Sequence, residues 1–96
     1  MRQTTLKLAL PVLLSVAWTP AAAQCFADYK AKQDNPLKLH YGVMQLSQGC
    51  SKPEALEEIK TRLLSAGWTL LNVISVFGPE GLEERKSDAG PYYLRF

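Results

Sequence analysis

The feature that most narrows what this chain can become is its N-terminus, which has the three-part build of an export signal. Arg2 and Lys7 supply positive charge, Leu8 to Trp18 is an uncharged apolar stretch, and Thr19 to Ala23 ends in small residues. Ala21 and Ala23 occupy the two small-residue positions of an A-x-A site and Pro20 breaks any helix entering it, so cleavage is expected between Ala23 and Gln24. A retained membrane anchor would need roughly 20 apolar residues. This stretch covers only residues 8–18 and is interrupted by Pro11. Lipid attachment to Cys25 would want a small residue just before it, and Gln24 is not one. The expected organisation is a cleaved signal over residues 1–23 and one small domain over 24–96, periplasmic or secreted, with no stable membrane anchor after cleavage.

Removing residues 1–23 of 96 leaves 73, a size at which a single core is marginal and a covalent staple is expected. Cys25 and Cys50 are the only cysteines, so in an oxidising compartment one intramolecular disulfide is possible. A loop of that length is stabilised by roughly 3 kcal/mol on the chain-entropy account. The precursor's net charge of +2 rests on Arg2 and Lys7; without them nine basic residues face nine acidic ones. A neutral product argues against nucleic acid or anionic lipid as its main partner, since both select a basic face. Lys30, Lys32 and Lys38 form a local basic run that reads as a solvated face.

The clearest local element is a helix over residues 52–66. Ser51-Lys52-Pro53-Glu54 spells a capping box, with the Ser51 hydroxyl accepting from the Glu54 N–H while the Glu54 carboxylate accepts from Ser51, and Pro53 sits where a missing donor costs nothing. Leu56, Ile59, Leu63 and Ala66 mark its expected core face, Glu58 and Arg62 pair at i,i+4 on the other, and Gly67 ends it. Before it, Leu39, Tyr41 and Val43 alternate with His40, Gly42 and Met44 as a strand closed by Leu46, in which Gly42 signals a bulge or a close backbone approach. After it, Trp68 to Phe77 reads as a strand apolar on both faces, which wants cover on both sides. Leu82 to Lys86 reads as a helical turn, and Tyr92 to Phe96 as a last strand with Tyr92, Leu94 and Phe96 inward. Cys25 to Gln33 has a spacing that permits a short helix, stopped by Asp34-Asn35-Pro36. The expectation is an α+β, two-layer β-α-β-β domain: a three-stranded mixed sheet, its first two strands parallel through a helical crossover, one main helix, and an N-terminal segment tied on by the disulfide.

Ala66-Gly67-Trp68 running into Leu70-Leu71-Asn72-Val73, with a terminal Leu94-Arg95-Phe96, resembles small uncharacterised bacterial β-α-β-β domains with a Gly-Trp helix-to-strand junction, over residues 39–96. The chain after the signal, including Asp28-Tyr29-Lys30 and Phe77-Gly78-Pro79-Glu80-Gly81-Leu82, is similar to small exported alphaproteobacterial proteins that carry no assigned activity. Neither resemblance implies catalytic residues.

The residues themselves point the same way. His40 is the only histidine, and with both cysteines in a bridge only scattered carboxylates remain as companion metal ligands, so neither a metal nor another cofactor is expected. Cys50 with His40 as base would need a free thiol. Glu57-Glu58 and Glu83-Glu84 are adjacent on helices, where neighbours point to different sides, and read as solvated surface. Gly78-Pro79-Glu80-Gly81 lacks the lysine and glycine pattern of a phosphate loop and reads as a turn. Tyr93-Leu94-Arg95-Phe96 has the aromatic end of an outer-membrane strand, but 73 residues cannot supply eight spanning strands of about ten residues each. The expectation is a non-catalytic exported binding or interaction module. It would meet a protein partner or a second copy through the sheet face the main helix leaves open, unless the N-terminal segment covers that face. An inhibitor of an extracytoplasmic hydrolase, and a small hydrolase using His40, are the competing classes.

Overall fold

The computed structural model describes residues 24–96; the expected signal over residues 1–23 and the cut after Ala23 lie outside the described residues. Within them, residues 26–33 form strand β1 (Phe26–Gln33), not the short helix that their alanines and lysines permit. Alternation outweighs propensity here. Ala27, Tyr29 and Ala31 share one face and are fully buried, and the two alanines leave room for the Tyr29 ring between them. Asp34-Asn35-Pro36 is a chain reversal, as its turn residues require, but it joins two strands instead of ending a helix. Asn35 takes φ 62°, a left-handed conformation that asparagine tolerates. Strand β2 (Lys38–Gln45) then pairs antiparallel with β1, from Gln33 opposite Lys38 to Phe26 opposite Gln45.

Helix α1 (Lys52–Ser65) carries the capping box in full: the Ser51 Oγ accepts from the Glu54 N–H at 3.2 Å, and the Glu54 carboxylate accepts from the Ser51 N–H at 3.2 Å. Gly67 reverses the chain at φ 86°. Strand β3 (Thr69–Phe77) follows and pairs antiparallel with the far side of β1, giving the order β2-β1-β3. The fold is thus α+β with a three-stranded sheet, one main helix and the expected bridge, but the element order is ββαβ and every ladder is antiparallel. β2 and β3, joined by α1, do run in the same direction. They are not neighbours, because the N-terminal segment inserts between them as the central strand and converts an expected mixed sheet into an antiparallel one. The central position belongs to β1, and residues 69–77, apolar on both faces, lie at an edge.

Both faces of the sheet are covered in part. On one side Tyr29, Met44, Trp68 and Val73 pack beneath Ala55, Ile59 and Leu63 of α1. The helix is rotated from its expected setting: Leu56 is 39% exposed and Ala66 is exposed, while Ala55 and Glu58 point inward. On the other side Phe26, Val43 and Phe77 pack against Leu82, Ala89 and Tyr93. That cover comes from a second helix, α2 (Glu83–Ala89), and not from the N-terminal segment, which lies in the sheet itself. Residues 92–96 form no strand. After a 3-10 turn over Gly90–Tyr92, Tyr93 makes one parallel bridge to Val43, and the Leu94 N–H donates to the Val43 carbonyl at 2.8 Å. Tyr92 and Phe96 reach the α1 side and Tyr93 the α2 side, so this segment straddles the edge of β2; Leu94, at φ 54°, is turned outward.

The Cys25–Cys50 disulfide joins the start of β1 to the residue before the α1 cap, with 5.9 Å between the Cα atoms. It ties the central strand to the helix that covers it. Reduction would release that tie, not a flap over the second face.

Candidate interaction surface

Asp28, Glu58 and His40 are the buried side chains that could have carried acid–base chemistry, and each is held by the fold. Asp28, in the middle of β1, accepts from the Ser75 N–H at 2.9 Å and the Ser75 hydroxyl at 2.7 Å through Oδ1, and from the Tyr41 hydroxyl at 2.8 Å and Arg85 Nε at 3.0 Å through Oδ2. Burial pushes its carboxyl upward, but the hydrogen bonds from Ser75, Tyr41 and Arg85 together with the Arg85 charge outweigh that and hold it below the ordinary aspartate value. Burial and the bond to Asp28 raise the Tyr41 phenol to about 12. The Ser75 N–H is available because β3 has an extra residue, Ile74, between the pairs Tyr29–Val73 and Asp28–Ser75. Arg85 also lies 4.0 Å over the Phe77 ring and donates to the Gly81 carbonyl at 2.7 Å. One carboxylate thereby fastens α2 to all three strands.

Glu58 does the same for the loop between β2 and α1. It accepts from the Ser47 N–H and hydroxyl and the Gln48 N–H at 2.7–3.0 Å, and pairs with Arg62 at 2.7 Å. Burial raises its carboxyl and the bonds from Ser47, Gln48 and Arg62 lower it further, so it too stays below its ordinary value. The i,i+4 pair expected on the solvent side of the helix is thus a loop clamp with Glu58 only 4% exposed, and only Glu57 of that carboxylate pair is solvated. Arg62 continues the clamp to the carbonyls of Gln45 and Phe96. A groove of about 460 Å³ runs beside these residues, lined by Gln45, Ser47, Glu57, Glu58, Thr61 and Arg62, but its buried acid and its arginine already have partners.

His40 projects to the α1 side, opposite Leu39 as expected, and is 8% exposed. Its ring stacks on Tyr92 with centroids 3.8 Å apart, meets Trp68 edge-on at 4.3 Å, and shares a 2.9 Å hydrogen bond between Nε2 and the Tyr29 hydroxyl. Burial, assisted by the Arg95 charge, lowers it to about 4, so the ring is neutral at pH 7. Either tautomer leaves Nδ1 without a protein partner. A general base needs its nitrogen within reach of a substrate, and this one is closed in by aromatic rings. Cys25 and Cys50 are both in the bridge. Among the described residues no three His, Cys, Asp or Glu side chains group as metal ligands, and no helix is long and apolar enough to cross a membrane.

What remains open is apolar surface. Helix α2 covers the end of its sheet face that holds Phe26, Val43 and Phe77 and leaves the hairpin end bare. There Leu37, Leu39 and Leu71 are 64%, 66% and 50% exposed. A depression of about 290 Å³ lies among Lys30, Leu39, Tyr41 and Leu71. Tyr41 is fixed by Asp28 at its floor, and Lys30 stands at its rim exposed. Alternation puts Leu39 on the apolar face of the strand with Tyr41 and Val43; those two are covered, but α2 is only seven residues long and ends short of Leu39. Compared with known proteins, the chain matches no family model, no curated protein and no solved structure.

Proposed function

We propose that this protein is an exported, non-catalytic interaction module that holds a protein partner through the half of its sheet face beyond α2. The observation that carries this reading is the pair Leu39 and Leu71 around one depression of the antiparallel sheet, with Leu37 in the adjoining turn, all half to two-thirds exposed. Large apolar side chains so grouped cost solubility, and they sit beside an aromatic residue, Tyr41, whose hydroxyl is already satisfied. The ionisable residues of the interior support the same reading, because Asp28, Glu58 and His40 are consumed in holding α2, the β2–α1 loop and residues 92–96 in place. The bridge fits an oxidising compartment, and the A-x-A site at Ala21 to Ala23 supports export there.

The test is affinity capture from an extracytoplasmic extract with wild type and with Leu37→Glu/Leu39→Glu. These positions are exposed, so the variant keeps its fold. A partner retained by wild type and lost by the variant supports the module. Equal capture by both, or none by either, removes the patch as a contact site. N-terminal sequencing of the exported protein is expected to begin at Gln24.

A further inference from the structure

The two edges of the sheet are treated differently. On β2 the edge is met at Val43 by residues 92–96, through the Val43–Tyr93 bridge and the Leu94 N–H on the Val43 carbonyl. On β3 no segment among the described residues pairs with the outer edge. An open edge is a template for further pairing, and proteins blunt it with charge, proline, covering segments or bulges. Of these β3 has only bulges. Its nine residues, Thr69–Phe77, contain no charged residue and no proline, and the two bulges leave Leu71 and Ile74 at 50% and 39% exposure.

The apolar surface continues from the strand onto the helix layer. Leu56 and Leu64, which the rotation of α1 leaves 39% and 56% exposed, line a groove of about 280 Å³ with Leu70 and Leu71, and the exposed Lys60 between them is its one charged residue. Strand edge and helix flank therefore form one strip. We propose that β3 pairs antiparallel with β3 of a second copy, joining two sheets into a six-stranded one with the two α1 helices on the same side. A second copy is favoured as occupant by charge and by area. The strand meets its own image with no like charges opposed, which a two-fold interface requires of itself. A nine-residue strand is about 30 Å long, and strand and helix layers together are about 20 Å deep, so about 600 Å² per protomer is covered. The total of about 1,200 Å² reaches the lower end of specific interfaces, the size class of weak and transient complexes. This surface meets the Leu37 and Leu39 patch at Leu71, which lines both, so the two proposals are told apart at residues that only one of them uses: Ile74 and Leu64 here, Leu37 and Leu39 there.

Sedimentation equilibrium of the disulfide-bonded protein over a wide concentration range tests it. The average mass is expected to rise twofold through the micromolar range, with amide exchange of residues 69–77 slowing as the dimer forms. Ile74→Lys, on the edge, and Leu64→Lys, on the helix flank, are each expected to keep the wild-type circular dichroism and raise the dissociation constant at least tenfold. Leu39→Glu is expected to leave dimerisation unchanged. A wild type that stays monomeric at millimolar concentration overturns the proposal. So does a dimer that survives Leu64→Lys, or one that Leu39→Glu dissolves.

Discussion

Acid should unfold this domain through His40 before it does so through any carboxylate. The ring is enclosed by Tyr29, Trp68, Tyr92 and Phe96, with Arg95 as the nearby charge, and titrates at about 4 in the folded protein against 6.5 for a free histidine. The folded state holds it neutral, so between those two values the unfolded chain binds the extra proton and stability falls as pH falls. The contribution is complete above pH 6.5 and is lost progressively towards pH 4, for a total of about 3 kcal/mol at 1.36 kcal/mol per unit. Asp28 and Glu58, whose values are lowered, add their own losses only as pH drops through the ordinary carboxylate range, so His40 acts alone from about 6.5 to about 5. Over that interval about 2 kcal/mol should disappear, a large part of what a domain of this size has. Urea melts at closely spaced pH values, fitted with a common m-value, measure it directly. His40→Phe keeps a ring against Tyr92 but has no proton to gain, and its midpoint should be flat where wild type slopes. A wild-type midpoint that does not move between pH 7 and pH 5, or an equal slope in His40→Phe, would refute the reasoning.

Two further outcomes follow from the packing. Cys25→Ser/Cys50→Ser, or reduction of the wild type, should lower stability by about 3 kcal/mol and increase binding of an apolar dye, because the bridge ties β1 to the start of α1; denaturant melts with and without reductant check this. A Cβ at Gly42 would stand 2.5 Å from the Tyr29 hydroxyl oxygen, so Gly42→Ala must displace a fully buried ring and its bond to His40, and should cost about 1–3 kcal/mol in the same melts.

Much of the fold was legible because its signals are local. The capping box, Gly67 and the i,i+4 pair of Glu58 and Arg62 act within a few residues, and α1 starts where they place it and ends one residue short of the expectation. Gly42 was readable as a close approach, and the approach is that of the Tyr29 ring. The second core was readable only as a need: residues 68–77 are apolar on both sides, yet nothing local says that α2 supplies the cover. Asp28 left one usable trace, an acid in the middle of a segment otherwise able to be buried. Its partners Tyr41, Ser75 and Arg85 come from three other elements, so no spacing rule connects them.

The amino-acid sequence by itself determined the α+β class, the one main helix, the residues of β2 and β3 and the single cysteine pair that could close, since these follow from periodicity, caps and count. Only the tertiary structure decided that residues 26–33 are the central strand. Alanine and lysine suit a helix better than a strand, yet the segment becomes β1 because Tyr29 is buried under α1 between two alanines in an extended chain, with hydrogen-bonding partners on both sides. Once β1 takes that place the rest is forced: β2 and β3 become edges, residues 92–96 meet one of them at Val43, and the helix rotates until Glu58 meets the loop it clamps and Leu56 and Leu64 face outward beside the edge left open.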